Sequence, residues 1–356
     1  MNISAITKNI LQGRRLTRSE GLRLLDPSVS LTELGALAQS VRFKKNPAKR
    51  VTFIVDTNPN YTNICEHRCA FCAFYRRKGQ KDAYVLTPDQ VMTRVRWAVR
   101  RGAKTILLQG GCNPEIPFAY YTELVRRVKK AYPTVTPHFF SAPEIIMMSR
   151  SSGQSIQSVL AELWAAGMRT LPGGGAEILS DRVRKKVSPL KGTPKEWLEV
   201  HRIAHRMGYR STATMMFGHI EKDEDIIDHL DRIRSLQDET GGFTAFIPWS
   251  FKPQGTALQS RIRGSASPVR YLRILALSRV YLDNFPHIQG SWFSEGKEAG
   301  MMALYFGADD MGGTVLEENV HAASGVKNRA TAEDVKDLIR SAGFTPIERT
   351  TDYKVC

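Results

Sequence analysis

The sequence predicts an α/β protein, a (β/α)8 barrel of the TIM type with an N-terminal helical extension. From Val51 onward, short apolar or β-branched runs alternate with helical stretches, as a parallel sheet requires. Eight such units follow one another without a linker, which favours one barrel over two domains. Several of the strands are weak, so a barrel of six units with appended helices is the alternative.

Residues 1–50 are predicted to form the helical extension, and residues 51–356 the barrel with its C-terminal helices. Thr17-Arg-Ser-Glu20 and Ser30-Leu-Thr-Glu33 are capping boxes, in which a hydroxyl and an acid satisfy the free N–H groups of a helix start. Each box precedes an apolar-periodic run. Asn46-Pro47 then ends the helical segment.

Eight strands are predicted from β-branched and apolar runs. They are Val51–Thr57, Thr105–Gln109, Thr136–Phe140, Arg169–Leu171, Thr212–Phe217, Phe243–Ser250, Ile288–Trp292 and Asp310–Thr314. Between them, Thr87-Pro88, Thr193-Pro194 and Ser267-Pro268 each pair an N-cap residue with proline at the first helical position. The loops after the strands carry the chemistry in such barrels, so the strand ends are where site residues are expected. Alternation alone leaves open which face of the fifth strand points inward.

Charge and composition limit the possible functions. The chain has 51 Lys and Arg against 35 Asp and Glu, a formal net charge of +16, which favours acidic partners. The basic residues are dispersed over several predicted helices, as is typical of solvated helix faces. No run is long enough to span a bilayer, and the N-terminus lacks a secretory signal pattern. We therefore expect a cytoplasmic protein without a membrane partner.

Three of the five cysteines lie within eight positions, in Cys65-Glu-His-Arg-Cys69-Ala-Phe-Cys72. An odd number with three clustered does not fit a disulfide framework. The ligands of a [4Fe–4S] cluster must reach separate irons from one tight loop, which short spacings allow. A zinc site needs a fourth ligand, and the nearby candidate is His67 inside the loop. We therefore predict one [4Fe–4S] cluster per chain, with zinc or free thiols as the alternatives.

The second strand ends in Leu108-Gln109-Gly110-Gly111. Glycines at this place let the backbone approach a ligand closely, although a Gly-Gly pair after a strand is more often a simple turn. Cys112 follows directly and is interpreted as a bystander thiol, with a place in the lining of the site as the alternative. Cys356 stands alone at the end of the chain.

The cysteine loop after the first strand, with the aromatic Phe71 before its third cysteine, resembles the radical S-adenosylmethionine (SAM) superfamily. The resemblance implies that SAM binds the iron that the three cysteines leave open. It also implies that Gln109, Gly110 and Gly111 bind the methionine end of SAM. Cleavage of SAM would give a 5′-deoxyadenosyl radical, and the protein must orient these cofactors and exclude competing reactions.

Further segments resemble the menaquinone-pathway group of radical SAM enzymes that act on futalosine derivatives. They are Asn63-Ile-Cys65, Cys72-Ala-Phe-Tyr75-Arg76, Pro172-Gly-Gly-Gly-Ala-Glu177-Ile-Leu179, Met216-Phe-Gly-His219, Asp238–Trp249 and Glu317-Glu-Asn319. The similarity spans nearly the whole chain. Within the group, the run ending in Pro248-Trp249 favours an enzyme that cyclises dehypoxanthine futalosine. The alternatives are aminofutalosine synthase and the synthases of the deazaflavin ring.

The resemblance implies a reaction and two partners. Hydrogen would leave the sugar of the substrate, the sugar radical would add to the benzoate ring, and loss of one electron and one proton would restore aromaticity. The substrate would be an anionic small molecule, dehypoxanthine futalosine. The electron donor would be an acidic protein such as flavodoxin or ferredoxin.

Position suggests four more site residues. Glu177, after Gly173–Gly175 at the end of the fourth strand, is expected to bind the SAM ribose, or else to be a first-turn acid of a helix. His219 ends the fifth strand and is expected to be a base or hydrogen-bond donor, with a packed structural histidine as the alternative. Trp249 would stack on the substrate ring. Tyr75 would contact adenine.

Two other classes of function fit part of the sequence. A radical SAM enzyme that modifies RNA would explain the charge, but it would normally carry an added nucleic-acid module, which this sequence lacks. A ferredoxin-like electron carrier would explain a cluster, but it needs a fourth cysteine at defined spacing and no large barrel. We therefore expect no nucleic-acid partner.

Overall fold

The computed structural model describes residues 3–262 and 264–356, which form a parallel β-barrel surrounded by helices. The strands are β1 (Arg50–Ile54), β2 (Asp56–Thr57), β3 (Thr105–Leu108), β4 (Thr136–Phe139), β5 (Thr170–Leu171), β6 (Arg210–Phe217), β7 (Phe243–Ser250), β8 (His287–Ile288), β9 (Asp310–Gly313) and β10 (Thr345–Glu348). Within these described ranges, no helix combines the length and apolar character that crossing a bilayer would require.

The helices precede the barrel, alternate with its strands, and follow it. They are α1 (Ile3–Leu11), α2 (Arg18–Leu25), α3 (Leu31–Lys45), α4 (Pro88–Val99), α5 (Phe118–Ala131), α6 (Ala142–Ser152), α7 (Ile156–Ala166), α8 (Asp181–Val187), α9 (Pro194–Arg206), α10 (Asp223–Thr240), α11 (Pro268–Tyr281), α12 (Trp292–Glu295), α13 (Lys297–Ala303) and α14 (Ala332–Ser341). The first three helices pack outside the barrel, where α2 contacts α10 and α11 and α3 contacts α11.

Sequential strands lie side by side and run parallel. One sheet contains β2, β3 and β4, a second contains β5 to β8, and β1 pairs with β9. Together, β1 and β2 form the predicted strand Val51–Thr57, interrupted at Val55. Contacts between β4 and β5 and a parallel bridge from Gln289 to Asp310 connect the sheets into a ring. The predicted α/β barrel is therefore confirmed.

Local capping chemistry places the helix starts where the sequence predicts them. Reciprocal capping-box hydrogen bonds form at Thr17 and Glu20, Thr87 and Gln90, and Thr193 and Glu196. At the starts of α3 and α11, the serine side chain accepts a backbone N–H three residues later, and α11 has proline at its first position. These short-range contacts need no tertiary partner, which is why the sequence predicts them well.

The prediction for Ile288–Trp292 is wrong in its second half. Only His287–Ile288 is a strand, and Trp292 begins helix α12. The chain turns at Ser291, whose N–H donates to the Tyr271 hydroxyl at 2.7 Å and whose hydroxyl donates to the Pro248 carbonyl at 2.7 Å. These tertiary hydrogen bonds replace the ladder that a longer strand would have made.

The C-terminal segment, residues 345–356, closes the barrel end where the strands begin; the sequence did not predict its strand β10. Strand β10 pairs with residues 50–53 of β1, and the Arg349 N–H donates to the Phe53 carbonyl at 2.9 Å. The buried Arg349 guanidinium donates to both Asp310 carboxylate oxygens, at 2.5 and 3.0 Å. Tyr353 stacks on His287 with ring centroids 3.9 Å apart.

We predict that Arg349→Met lowers the free energy of unfolding by about 3–5 kcal/mol, because it leaves the Asp310 carboxylate buried without its countercharge. Urea denaturation of the purified chain measures this change. Arg340→Met is the matched control, since Arg340 pairs with Glu333 and Asp337 on the exposed face of α14. It should unfold like the wild type. Equal unfolding midpoints for the two variants would contradict the prediction.

Candidate active site

A cavity of about 430 Å³ runs through the barrel, from the loops after the strands to the C-terminal segment. This volume falls in the range of small-molecule sites, and the walls are largely apolar. The cavity brings together the predicted site residues Cys65, Cys69, Phe71, Cys72, Tyr75, Gln109, Gly110, Gly111, Glu177 and Trp249. On β6 it is lined by Thr212, Thr214 and Met216, which identifies the inward face of the fifth barrel strand.

Backbone hydrogen bonds to other segments hold the cysteine loop at the mouth of the cavity. The Cys65 N–H donates to the Arg76 carbonyl at 3.1 Å, and within the loop the Cys72 N–H donates to the Cys69 carbonyl at 3.1 Å. Ala70 donates to the Val187 carbonyl at 2.8 Å and accepts from the Leu258 N–H at 3.1 Å. Two distant segments, at Val187 and Leu258, and the adjacent Arg76 therefore fix the loop.

The three loop cysteines have the properties of cluster ligands. None of them forms a disulfide. Their sulfur atoms do not all lie within 4.8 Å of one another, as ligands of a single tetrahedral ion would, whereas ligands of a cluster bind separate irons. Burial raises the pKa of Cys69 to about 12 and also raises that of Cys72, so a bound metal must supply the charge that deprotonates them. The residues therefore fit a [4Fe–4S] cluster.

Cys112 lies closer to this site than the sequence suggests. The ligating atoms of Cys65, His67 and Cys112 lie within 4.8 Å of one another, and the Cys112 carbonyl accepts the Glu66 N–H at 3.0 Å. A hydrogen bond with Cys112 lowers the pKa of Cys65 to about 6, although burial opposes this shift. Burial lowers the pKa of His67 to about 4. These three residues could hold a single metal ion, which gives the zinc alternative a specific location.

The two glycines after β3 allow close approach between protein segments. A Cβ on Gly110 would lie 2.7 Å from Cε1 of Tyr61, and a Cβ on Gly111 would lie 2.2 Å from the Ile64 carbonyl oxygen. Real Cβ atoms do not come this close to a neighbour. The glycines therefore let the chain before the cysteine loop pack against the end of β3, in addition to lining the cavity.

Glu144 accepts hydrogen bonds from both sides of this contact. The sequence did not single out Glu144 as a site residue. Its Oε1 accepts the Tyr61 hydroxyl at 2.8 Å and the Gly110 N–H at 3.0 Å, while Oε2 accepts the Ser141 N–H and hydroxyl at 2.7 and 2.6 Å. Burial raises the pKa of Glu144 to about 7, and these hydrogen bonds act in the opposite direction. The available signal was Ser141-Ala-Pro-Glu144, a capping box at a strand end.

Glu177 lines the cavity in a left-handed backbone conformation, with φ of 46°, and forms a buried ion pair with Lys191. The Lys191 Nζ also lies 5.1 Å from the centroid of the Phe71 ring. Burial disfavours the charged lysine, but the neighbouring Glu177 and Cys69 raise the pKa of Lys191 above its ordinary value. In the sequence, the available signal for this cation is its position two residues before the helix start at Thr193.

His219 does not line the cavity. Its side chain is fully buried, its ring centroid lies 6.1 Å from that of Phe251, and its Nδ1 accepts the Ile220 N–H at 2.7 Å. Gly218, with φ of 88°, turns the chain just before it. Burial lowers the pKa of His219. The geometry therefore resembles the alternative of a packed structural histidine.

Trp249 forms part of an aromatic wall. Its ring centroid lies 5.0 Å from that of His321, and the centroid of Phe293 lies 5.5 Å from His321 on another side. Glu317 pairs with Arg94 outside the cavity, whereas Glu318 lines it. The two adjacent carboxylates therefore point to different places.

Two family models match the chain. The model of the radical SAM superfamily matches residues 59–233, and the model of the CofH/MqnC C-terminal region matches residues 240–356. The two matches divide the barrel between them.

Curated relatives match over nearly the full length. A cyclic dehypoxanthine futalosine synthase of Halalkalibacterium halodurans is 39% identical over 100% of this chain and 95% of its own length. An aminodeoxyfutalosine synthase of Thermus thermophilus is 40% identical over 98% of this chain and 94% of its own length. A 5-amino-6-(D-ribitylamino)uracil–L-tyrosine 4-hydroxyphenyl transferase of Methanopyrus kandleri is 40% identical, covering 86% and 84%.

Among solved structures, methylornithine synthase (PylB) superposes with a TM-score of 0.71. The alignment covers 96% of both chains at 19% sequence identity. This likeness concerns the fold, and it places the N-terminal helices, barrel and C-terminal segment within one shared architecture.

We predict that Gly111→Ala reduces the iron bound after anaerobic reconstitution to well under half of the wild-type amount, because the new Cβ must push Ile64 and Cys65 away. Iron and zinc analysis per chain measures this. Cys112→Ala, which removes atoms at the next position, is the control and should keep wild-type iron. The triple variant Cys65→Ala, Cys69→Ala, Cys72→Ala gives the zero reference. Full iron in Gly111→Ala, or zinc in the native site, would contradict the prediction.

Proposed function

The chain belongs to the radical SAM superfamily, in the branch that includes the futalosine enzymes, and we propose that it cyclises dehypoxanthine futalosine in menaquinone biosynthesis. The observation that carries the proposal is the end-to-end similarity to cyclic dehypoxanthine futalosine synthases. The arrangement of the three cysteines at the mouth of a largely apolar cavity supports it.

Membership of the superfamily implies a [4Fe–4S] cluster and SAM. We propose one cluster per chain, held by Cys65, Cys69 and Cys72. When bound, the two cofactors supply a 5′-deoxyadenosyl radical that removes hydrogen from the substrate. The apolar walls of the barrel exclude water from this reaction, and the C-terminal segment closes the far end.

The residues around the cluster loop suggest how SAM binds. Gly110 and Gly111 present bare backbone to the cavity beside Cys65. Lys191 brings a buried positive charge to the same region, where it can pair with the carboxylate of the methionine end. Glu177 orients Lys191 and is our candidate for hydrogen bonds to the ribose. Tyr75 is our candidate contact of the adenine.

The other walls suggest how the substrate binds. We propose that Trp249 stacks against the benzoate ring. Lys252 also lines the cavity, and its Nζ lies 2.7 Å from the Ser250 hydroxyl and 3.3 Å from a Glu295 oxygen. It is our candidate for the cation that the carboxylate of the benzoate needs. Trp249 and Lys252 would hold the benzoate ring close to the sugar. This positioning matters because misplacement of reacting groups can lower a rate by orders of magnitude.

Aminofutalosine synthase is the second candidate, because the Thermus thermophilus relative matches this chain as fully as the cyclase relatives do. In that reaction the radical adds to the substrate, so adenosine remains in the product. For either reaction we propose a cytoplasmic enzyme that receives electrons from an acidic donor such as flavodoxin or ferredoxin. The net charge of +16 supports association with such a partner.

We predict that Glu177→Gln weakens SAM binding at least tenfold while iron content stays at the wild-type level. The neutral amide cannot balance the buried charge of Lys191, so this lysine loses its fixed position. Equilibrium binding of SAM to reconstituted protein and the rate of 5′-deoxyadenosine formation measure the effect. Arg182→Gln is the control, since Arg182 pairs with Asp225 away from the cavity lining. Wild-type SAM affinity in Glu177→Gln would assign Glu177 a structural role.

We predict that reduced enzyme with SAM and sugar-deuterated dehypoxanthine futalosine releases 5′-deoxyadenosine that carries deuterium, together with a cyclised product. The radical acts as a hydrogen abstractor in a cyclase, so the nucleoside must leave as a separate molecule. Mass spectrometry of the quenched reaction measures both products. Adenosine covalently joined to the product would replace the cyclase assignment with the aminofutalosine synthase reaction.

A further inference from the structure

Asp56 is a buried carboxylate in the cavity wall. It is not among the residues proposed to bind SAM or the benzoate ring. In the described part of the chain, three carboxylates line the cavity: Asp56, Glu177 and Glu318. Glu177 is paired with Lys191. The three carboxylates can therefore be compared by how many of their oxygens already accept a hydrogen bond.

Both oxygens of Glu318 are occupied, because they accept the N–H groups of Val320 and His321, each at 2.8 Å. In Asp56, Oδ1 accepts the Val315 N–H at 2.8 Å. Among residues 3–262 and 264–356, no other residue donates a hydrogen bond to its Oδ2. In the described part of the chain, Asp56 and Glu177 each keep one oxygen to which no other residue donates, and Glu177 is already paired with Lys191 and assigned to the SAM ribose.

Two local features fix the position of the Asp56 carboxylate. A Cβ on Gly313 would lie 2.0 Å from each of the two carboxylate oxygens, so only glycine fits opposite Asp56. Val315, which donates to Oδ1, is a β-branched residue with φ of 49°, a strained conformation for such a side chain. Strain of this kind clusters at functional sites. A carboxylate needed only for packing would not require it.

The charged groups around Asp56 come from several elements. Asp310 lies on β9, Arg349 on the C-terminal segment, and His138 on β4, where its Nδ1 is 2.9 Å from the Thr170 hydroxyl. Burial raises the pKa of Asp56 to about 6, with Asp310 acting in the same direction and the Val315 N–H and Arg349 in the opposite one. Near neutral pH, Asp56 is therefore ionised and still able to take up a proton.

We propose that Asp56 is the base that accepts the proton lost by the substrate ring in the last step of cyclisation. This assignment rests on the proposed function. After the new C–C bond has formed, the C–H bond at the same ring carbon breaks, and its electron pair restores the aromatic ring. The proton goes to Oδ2 of Asp56. One electron leaves the ring for a one-electron acceptor of the iron–sulfur type.

The test compares Asp56→Asn with the wild type. The amide oxygen can still accept the Val315 N–H, so the unfolding temperature, iron content and SAM affinity should stay unchanged. The rate of cyclised product should fall at least 100-fold, since general base catalysis contributes about 10²–10⁴. In a single turnover, deuterium from the sugar should still reach 5′-deoxyadenosine, because hydrogen abstraction precedes the proton transfer.

Two further measurements separate a catalytic from a structural role. In the wild type, kcat/KM should decline as the pH falls below about 6, and Asp56→Asn should lack this decline. Gly313→Ala, which displaces the carboxylate without removing it, should show the same selective loss of product. A fall in unfolding temperature and iron content in Asp56→Asn, with product and deuterated nucleoside lost together, would overturn the assignment.

His321 is the competing base, because its Nε2 is buried without a hydrogen-bond partner in the described chain and it lies beside Trp249. If His321→Asn loses the product selectively while Asp56→Asn cyclises at the wild-type rate, Asp56 is not the base. A wild-type enzyme that forms no cyclised product refutes the proposed function, and the Asp56 assignment fails with it. Wild-type cyclisation together with normal turnover in Asp56→Asn refutes the assignment alone.

Discussion

The contact between the backbone of Gly111 and the carbonyl of Ile64 fixes the cysteine loop against the end of β3. A Cβ on Gly111 would lie 2.2 Å from that oxygen. Glu144 holds the neighbouring Gly110 N–H and the Tyr61 hydroxyl from behind. The position of the loop relative to the barrel axis, and so the distance between a bound cluster and the cavity, depends on this contact. The other parts of the site are arranged around it.

Three buried charge arrangements serve three purposes along the cavity. At the mouth, the Lys191–Glu177 pair keeps a cation next to the cysteine loop. At the closed end, Arg349 and Asp310 connect the C-terminal segment to β9. Between them, Asp56 keeps one oxygen to which no other residue of the described ranges donates. A paired buried charge contributes to positioning and rigidity, whereas an incompletely paired one retains reactivity.

The sequence predicted the structural features that depend on residues close to one another in the chain. Helix starts such as Thr87–Gln90 are decided within four positions, and the cysteine spacing alone indicated a cluster loop. The sequence did not predict the contacts between residues that are far apart in the chain. Tyr61 and Glu144 are 83 positions apart, and Val315 donates to Asp56 across 259 positions. The available signal for Asp56 was that a charged residue lies within a predicted buried strand.

The pairing of β1 with both β9 and β10 has a consequence for the order in which this molecule can be assembled during synthesis. The strand that leads into the cysteine loop is translated well before its partners at residues 310–313 and 345–348. Until then β1 presents unpaired edges to its surroundings, the condition under which strands associate wrongly. Residues 50–54 therefore stay without their strand partners until residues 310–348 have been synthesised.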